Sequence, residues 1–456
     1  MSKRIVILGA GESGTGAALL AHAKGYEVFV SDFGVISEKY KSQLEKLAIR
    51  YEEGCHTEAL ILNADEVIKS PGIPEKAPVI QKLREARIPV IDELEFAARY
   101  TDAKIIAITG TNGKTTTTLL TYHLLKEAGF KVGLAGNIGY SMAKQVIKDE
   151  FDYYVLEVSS FQLDGTYKFE PHISMLLNIT PDHLDRYEDL MQNYVDSKFR
   201  IIQSMTKRDH FVYFNEDGII GKELSKRKVS PKQYAVSLAE DSNADIRLDE
   251  GRMSFQIQGV KFLISPEDTT LRGKHNLINT MSAVTAATLA GVGEEDIRRA
   301  LKTFSNAPHR LEYIATINGV DFVNDSKATN IDAVRYALDS FSQPLVWIAG
   351  GVDKGNDYSL IMEMVNEKVK ALVCLGKDNE KLREAFHEDI MDLLETDDIK
   401  EAVKSAMEYA EAHDVVLLSP ACASFDLFKN YEDRGDQFRE AVLDLKKRLE
   451  DKSLAQ

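Results

Sequence analysis

Short apolar runs alternate with helical periodicity along almost the whole chain. The first run, Arg4–Leu8, stops at a glycine turn; a helical pattern then extends to about Lys24, and a second run follows at Glu27–Ser31. Apolar runs of strand length separated by helical patterns predict α/β units on mostly parallel sheets. The run Glu66–Lys69 must end at Ser70-Pro71-Gly72-Ile73-Pro74, because proline cannot donate to a strand ladder. A second block opens with Lys104–Thr109 and continues through Tyr153–Val158 and Ile173–Asn178. Between Ile246 and Ile264 the period changes to two: Ile246 and Leu248, then Met253, Phe255 and Ile257, then Val260, Phe262 and Ile264, with breaks at Asp249–Arg252 and Gly259. That pattern predicts an antiparallel meander, followed by a helix from about Asn276 to Leu289. A third block begins near Asn306-Ala307-Pro308, with strands expected at Phe322–Asn324, Leu345–Ala349, Ala371–Leu375 and Val415–Ser419.

Composition narrows the picture. The chain has 456 residues, 44% of them hydrophobic, enough for more than one core. With 56 basic and 72 acidic residues its formal charge is −16, which argues against nucleic acid and anionic membranes as partners. No stretch approaches the roughly 20 apolar residues of a membrane span, and the short run within Met1–Ala10 reads as a buried strand rather than a signal-peptide core. Cys55, Cys374 and Cys422 are far apart and odd in number, which suits a reducing compartment, so a cytoplasmic location is expected. Cys422, among small residues, reads as a packing residue.

The strongest chemical signal is Gly110-Thr111-Asn112-Gly113-Lys114-Thr115-Thr116, between an apolar strand and a helical run. Glycines let backbone N–H groups close around phosphate, and a helix N-terminus adds positive potential. Lys114 is placed for the β- and γ-phosphates and the Thr115 hydroxyl for Mg²⁺. The spacing is shorter than the usual P-loop pattern. Glu157 ends a strand where a metal ligand or water-orienting base is wanted. His183 lies in a loop among Asp182 and Asp185, a setting that on its own more often marks a structural hydrogen-bonder. Gly9, Gly11 and Gly14 form a G-x-G-x-x-G run with Asp32 ending the next strand; NAD, FAD and a UDP-sugar all fit it, as does a turn with no ligand. Asn324–Asn330 and Ser419–Ser424 come directly after apolar strands, where open α/β sheets carry their ligand crevices. Lys327 and Lys354 in this region suit a carboxylate, or are solvated surface charges.

Taken in order, Gly110–Thr115, Glu157–Ser160, Asn178–Asp185, His275-Asn276, Pro308–Arg310 and Asp325 resemble the signature of the Mur ligases, with a relation extending to folylpolyglutamate synthetases. The resemblance spans the chain. It implies an α/β protein of three domains: a Rossmann-like N-terminal UDP-sugar domain (1–95), a central P-loop ATPase domain with a mostly parallel sheet plus a small antiparallel sheet (96–305), and a Rossmann-like C-terminal amino-acid domain (306–456). Asn324–Asn330 and Ser419–Gly435 look like the members that add D-glutamate to UDP-N-acetylmuramoyl-L-alanine.

The resemblance also implies sites, residue by residue. Gly11, Ser13, Gly14, Thr15, Asp32, Ser70, Gly72, Asn137 and His183 would meet the UDP-sugar. Gly110 to Thr116, Asn279, Arg310 and Asp325 would meet ATP. Lys327, Thr329, Lys354, Ser424 and Tyr431 would surround D-glutamate. Lys114, Glu157, His183 and Lys198 would be catalytic. Thr115, Glu157, His183 and a carbamylated Lys198 would hold Mg²⁺, with two ions expected; by pattern alone Lys198 reads as an ordinary surface residue. A monomer is expected. Competing readings are another amino-acid ligase, a nicotinamide-dependent oxidoreductase and a non-catalytic nucleotide-binding regulator.

Overall fold

The computed structural model describes residues 3–454 apart from 241, 272 and 342. The described residues form three sheets flanked by helices. The first is wholly parallel, in the order Arg50–Glu53, Glu27–Asp32, Arg4–Leu8, Glu66–Lys69 and Val90–Ile91. Ile5, Val6, Ile7 and Leu8 are all buried, as a central strand covered on both faces requires. Helix Glu12–Ala23 packs on it through Ala17, Ala18, Leu20 and Ala21.

The second sheet has nine strands, in the order Val260–Ile264, Arg252–Ile257, Ile246–Asp249, Lys232–Ser237, His210–Phe214, Ile173–Leu176, Lys104–Thr109, Tyr153–Glu157 and Val132–Gly136. The expected meander is present: Ile246–Asp249, Arg252–Ile257 and Val260–Ile264 pair antiparallel. It is not a separate sheet, however, because Val236 and Ser237 pair parallel with Ile246 and Arg247 and make it one end of the large sheet. Lys104–Thr109 lies between Ile173–Leu176 and Tyr153–Glu157 and runs parallel to both. The loop leaving its C-terminal end is therefore flanked by the loops that leave the two neighbouring strands.

The third sheet runs Glu312–Ile317, Val320–Asn324, Val415–Ala421, Leu345–Gly350, Val369–Leu375 and Asp392–Thr396; its first pair is antiparallel and the rest parallel. Its core includes Trp347, whose indole N–H donates to the Ser419 carbonyl at 2.7 Å. Strands 50–53, 90–91, 132–136, 210–214, 232–237, 312–317 and 392–396 escape the apolar-run reading, several being polar or short.

The chain divides into two compact units, one of residues 1–270 with 278–304 and the other of 271–277 with 305–456. The first unit holds two sheets joined by an acidic linker. Asp92 caps helix Glu93–Ala97 by accepting from the Leu94 N–H. Glu93 accepts from the Ser141 hydroxyl at 2.7 Å and the Ala143 N–H at 2.6 Å. Glu95 takes the N–H groups of Tyr167, Lys168 and Phe169 at 2.9, 2.9 and 2.8 Å. Buried carboxylates are tolerated only with such partners. No described helix is long and apolar enough to cross a membrane.

Candidate active site

Gly110 to Gly113 connect strand Lys104–Thr109 to helix Lys114–Glu127. Gly113 has φ +80, and a Cβ there would lie 2.4 Å from Asn279 Oδ1, so both backbone conformation and space demand glycine. Asn279 accepts from the Thr117 hydroxyl at 3.2 Å, which seats it against the loop. The opposite side is held by the segment after strand Ile173–Leu176. Thr111 N–H donates to the Asn178 carbonyl at 3.0 Å, and Asn112 N–H donates to Asn178 Oδ1 at 2.8 Å. Asn178 Nδ2 returns a bond to the Asn112 carbonyl at 3.1 Å. Asn178 thus fixes the shape of the loop, a role the sequence does not signal; within Asn178–Asp185 it singles out His183 alone as a site residue.

Two lysines converge on this loop. Lys114 Nζ donates to the carbonyls of Gly110 and Thr111, each at 2.8 Å. Lys198 Nζ also donates to the Gly110 carbonyl at 2.8 Å. Lys198 is 1% exposed, on helix Met191–Phe199, with its amino group 4.5 Å from the Tyr194 ring centre. Tyr194 sits one turn earlier and its hydroxyl is 3.2 Å from Thr111 Oγ1. Burial first, and the neighbouring Lys114 charge second, hold Lys198 well below the usual lysine range. The surface position expected from pattern alone is therefore corrected: the Tyr194–Lys198 face of the helix points inward.

Glu157 is 3% exposed at the end of its strand and accepts from Asn137 Nδ2 at 2.7 Å, so these two predicted residues are brought together. His183 has φ +52, its ring centroid is 5.3 Å from that of Phe161, and its Nε2 is 3.6 Å from Asp182. Among the described residues no three His, Cys, Asp or Glu side chains gather into a metal site. That is compatible with Mg²⁺, which binds through one or two carboxylates, waters and substrate phosphates rather than a protein cage. The Thr115 hydroxyl and the Glu157 carboxylate are hard oxygen donors of the required kind.

At the first sheet, Gly14 packs where a Cβ would fall 1.8 Å from the Gly9 carbonyl, so this glycine serves helix–strand packing. Asp32 uses both oxygens internally, accepting from Ala10 N–H at 2.6 Å and Gly34 N–H at 2.8 Å. Thr15 is buried, with its hydroxyl on the Ala10 carbonyl at 3.1 Å. Both residues shape the loop. Ser13 and Gly11 are less covered, and nothing in the protein lies within 4 Å of a Cβ at Gly11. Ser70 Oγ lies 3.5 Å from the Gly9 carbonyl, so the two turns adjoin. Arg186, which no sequence pattern points to, reaches the Pro71 and Gly72 carbonyls at 3.3 and 3.5 Å while its guanidinium stacks 4.4 Å from the Phe161 ring centre. It ties the Ser70–Gly72 turn to the loop of His183.

In the second unit, Lys327 Nζ donates to the Tyr431 hydroxyl at 2.9 Å. Ser424 is buried, Thr329 is partly exposed and Lys354 is exposed. Asp325 accepts from the Leu311 N–H at 3.2 Å and the Ser419 hydroxyl at 3.0 Å; burial pushes its pKa up to about 7. Arg310 lies close enough to oppose that rise. Cys422 is buried and its thiol pushed up by burial, as a packing residue should be.

Comparisons with known proteins show what the chain is similar to. Residues 4–79 match the MurD N-terminal domain, 108–287 the Mur ligase middle domain, and 309–422 the Mur ligase, glutamate ligase domain. The UDP-N-acetylmuramoylalanine–D-glutamate ligase of Bacteroides fragilis is 52% identical over 444 residues, covering 97% of this chain and 100% of that protein. That of Cytophaga hutchinsonii is 51% identical over 448 residues, covering 98% and 100%. Among solved structures, the UDP-N-acetylmuramate–alanine ligase of Thermotoga maritima superposes with a TM-score of 0.59 at 19% identity, covering 98% of this chain and 100% of that one. The MurF ligase of the same organism, solved in complex with ADP, gives 0.59 at 16% identity, covering 92% and 97%.

Proposed function

Because this chain belongs to the Mur ligase family, we propose that it joins D-glutamate to UDP-N-acetylmuramoyl-L-alanine with cleavage of ATP to ADP and phosphate. The product is a peptidoglycan precursor, made at the cytoplasmic stage of wall synthesis. The choice of amino acid rests on full-length identity near 50% to ligases named for that reaction. The activation chemistry rests on one observation, the convergence of Lys114 and Lys198 on the Gly110 carbonyl inside a phosphate-binding loop. The domain limits at 95 and 305, and a monomeric state, belong to the same proposal.

A carboxylate is a poor electrophile, and amide formation in water is uphill. An oxygen of the alanyl carboxylate attacks the γ-phosphorus, the bond to the bridging oxygen of ADP breaks, and an acyl phosphate results. The D-glutamate amine then attacks the acyl carbon and loses a proton, and phosphate leaves as the C–O bond breaks. The first step brings two anions together, which calls for fixed positive charge. Lys114 turns from its loop carbonyls toward the β- and γ-phosphates, while the loop N–H groups and Thr116 position them. Mg²⁺, when bound, neutralises the transferring phosphoryl group. Thr115, Glu157 and His183 would hold it, and a carbamate on Lys198 would supply a further oxygen donor. Only a neutral amine adds CO₂, and burial keeps Lys198 toward that form. Asn137, anchored on Glu157, orients the reacting end of the UDP-sugar, whose nucleotide end lies along Gly11, Ser13 and Ser70–Gly72. Asn279, Arg310 and Asp325 complete the nucleotide contacts, and Lys327, Thr329, Lys354, Ser424 and Tyr431 hold D-glutamate.

Phosphate release measured with UDP-N-acetylmuramoyl-L-alanine and a panel of amino acids tests the assignment. Release that depends on D-glutamate alone is expected; equal release with L-glutamate, L-alanine, L-lysine or diaminopimelate contradicts it.

A further inference from the structure

Arg434 lies in the first turn of helix Tyr431–Leu454 and is 1% exposed. Its guanidinium is fully engaged. Nε donates to Ser326 Oγ at 3.0 Å, one terminal nitrogen donates to the carbonyls of Gly350 and Cys422 at 3.3 and 3.2 Å, and the other to those of Ser326 and Cys422 at 2.9 and 3.2 Å. Every acceptor is neutral. Among the described residues no carboxylate forms a direct ion pair with it; the Asp426 carboxylate acts on it only through space, favouring its charged form, whereas the nearby Arg439 is partly exposed and pairs with Glu312 at 2.6 Å.

These acceptors come from three loops. Ser326 follows strand Val320–Asn324, Gly350 ends strand Leu345–Gly350, and Cys422 follows strand Val415–Ala421. Lys327 and Thr329, Lys354, and Ser424 lie on those same loops, each within a few residues of an Arg434 acceptor. The loops are joined further where Val352 and Ala423 exchange backbone bonds at 2.8 and 3.1 Å. Ser326 relays the connection: its hydroxyl accepts from Arg434 and donates to the Tyr431 carbonyl at 2.8 Å, while the Tyr431 hydroxyl receives Lys327. A planar fork of five donors can span three loops; an ammonium group cannot reproduce that.

The charge itself needs explaining. Burying a cation with no directly paired counter-ion is costly, the through-space pull of Asp426 offsets only part of that cost, and the positive end of a helix disfavours a cation in the first turn. In a water-poor interior such a charge acts over longer range than on the surface. Burial lowers the Arg434 pKa to about 10, which leaves it cationic at neutral pH.

We propose that Arg434 is a positioning residue that locks the three loops of the amino-acid pocket together, and that its buried charge, with no directly paired carboxylate, makes the pocket select an acidic amino acid over its neutral amide. The inference rests on the D-glutamate reading above. Its test uses the full-length enzyme with Arg434→Gln and Arg434→Lys, comparing kcat and KM for D-glutamate, ATP and the UDP-sugar, and the preference for D-glutamate over D-glutamine. In Arg434→Gln the KM for D-glutamate should rise tenfold or more, those for ATP and the UDP-sugar should stay within twofold, and the preference should shrink tenfold. Arg434→Lys should keep most of the preference while losing kcat. An unchanged preference in Arg434→Gln overturns the proposal, as does a uniform rise of all three KM values. Loss of the folded circular-dichroism signal in both variants also overturns it, since Arg434 would then be a core residue only. Wild-type turnover without D-glutamate would instead overturn the functional reading, a distinct result.

Discussion

Lys114 and Lys198 donate to a single oxygen, the carbonyl of Gly110, at 2.8 Å each. Burial, and then repulsion from the neighbouring Lys114 charge, drive Lys198 toward its neutral form. The proposed roles separate accordingly, with Lys114 as the phosphate cation and Lys198 as the amine that would carry a carbamate. Lys114→Ala should abolish phosphate release. Lys198→Ala should lower kcat by about 100-fold or more, as expected when a metal's supporting ligand is lost. Labelled bicarbonate should give a carbamate ¹³C resonance in wild type that is missing from Lys198→Ala; an identical resonance in the variant counts against the assignment.

Removing the metal is a separate matter. Chelation should stop phosphate release and added Mg²⁺ should restore it. Glu157→Gln should raise the Mg²⁺ concentration needed for half-maximal rate, because a hard cation loses a charged oxygen ligand. An unchanged Mg²⁺ requirement would remove Glu157 from the metal site.

Gly113 has both a left-handed backbone and no room for a methyl group. Gly113→Ala should cost about 1–2 kcal/mol in backbone strain alone and push Asn279 from its place. A raised KM for ATP with a modest fall in Tm is the expected pair of results, read by steady-state kinetics and thermal unfolding.

In the second unit, Tyr431→Phe removes the hydroxyl that receives Lys327. The KM for D-glutamate should rise by up to about tenfold, the scale of one hydrogen bond to a charged group, with the KM for ATP unchanged. Lys327→Ala should be more severe in the same direction.

The linker carboxylate Glu93 gives a pH prediction. Burial raises its pKa from 4.5 to about 7 despite the bonds from Ser141 and Ala143, which favour the charged form. A carboxyl raised in the folded state binds its proton more tightly there than in the unfolded chain. Its contribution to stability is therefore complete below pH 4.5, declines as pH rises from 4.5 through 7, and is flat above. Glu93→Gln should remove that decline, so the difference in unfolding free energy between wild type and variant should change across this window in urea titrations. A constant difference would show that Glu93 titrates normally.

The strands of the sheet centres are legible in the sequence because a strand buried on both faces must be apolar throughout, as in Ile5–Leu8 or Leu345–Ala349. Edge strands obey no such rule; Arg50–Glu53 is a run of charged residues and a tyrosine. Glycine-rich loops are legible because their chemistry is local. Lys198 is not, since one lysine in an amphipathic helix looks the same on either face until Tyr194 and the loop carbonyl are placed beside it. Motif position suggests outward roles for Asp32 and Thr15, yet their oxygens face the loop they shape. Arg434 sits in a charged stretch, Tyr431 to Asp436, where nothing in the pattern signals burial; only three strand ends meeting around it reveal its place.

The central claim is that the alanyl carboxylate is activated as an acyl phosphate at the Gly110–Thr115 loop. It is tested most directly with UDP-N-acetylmuramoyl-L-alanine carrying ¹⁸O in that carboxylate, with ATP and D-glutamate, by mass analysis of the released phosphate. The account predicts one ¹⁸O atom in each phosphate released. Phosphate free of ¹⁸O, formed alongside the amide product, would contradict it.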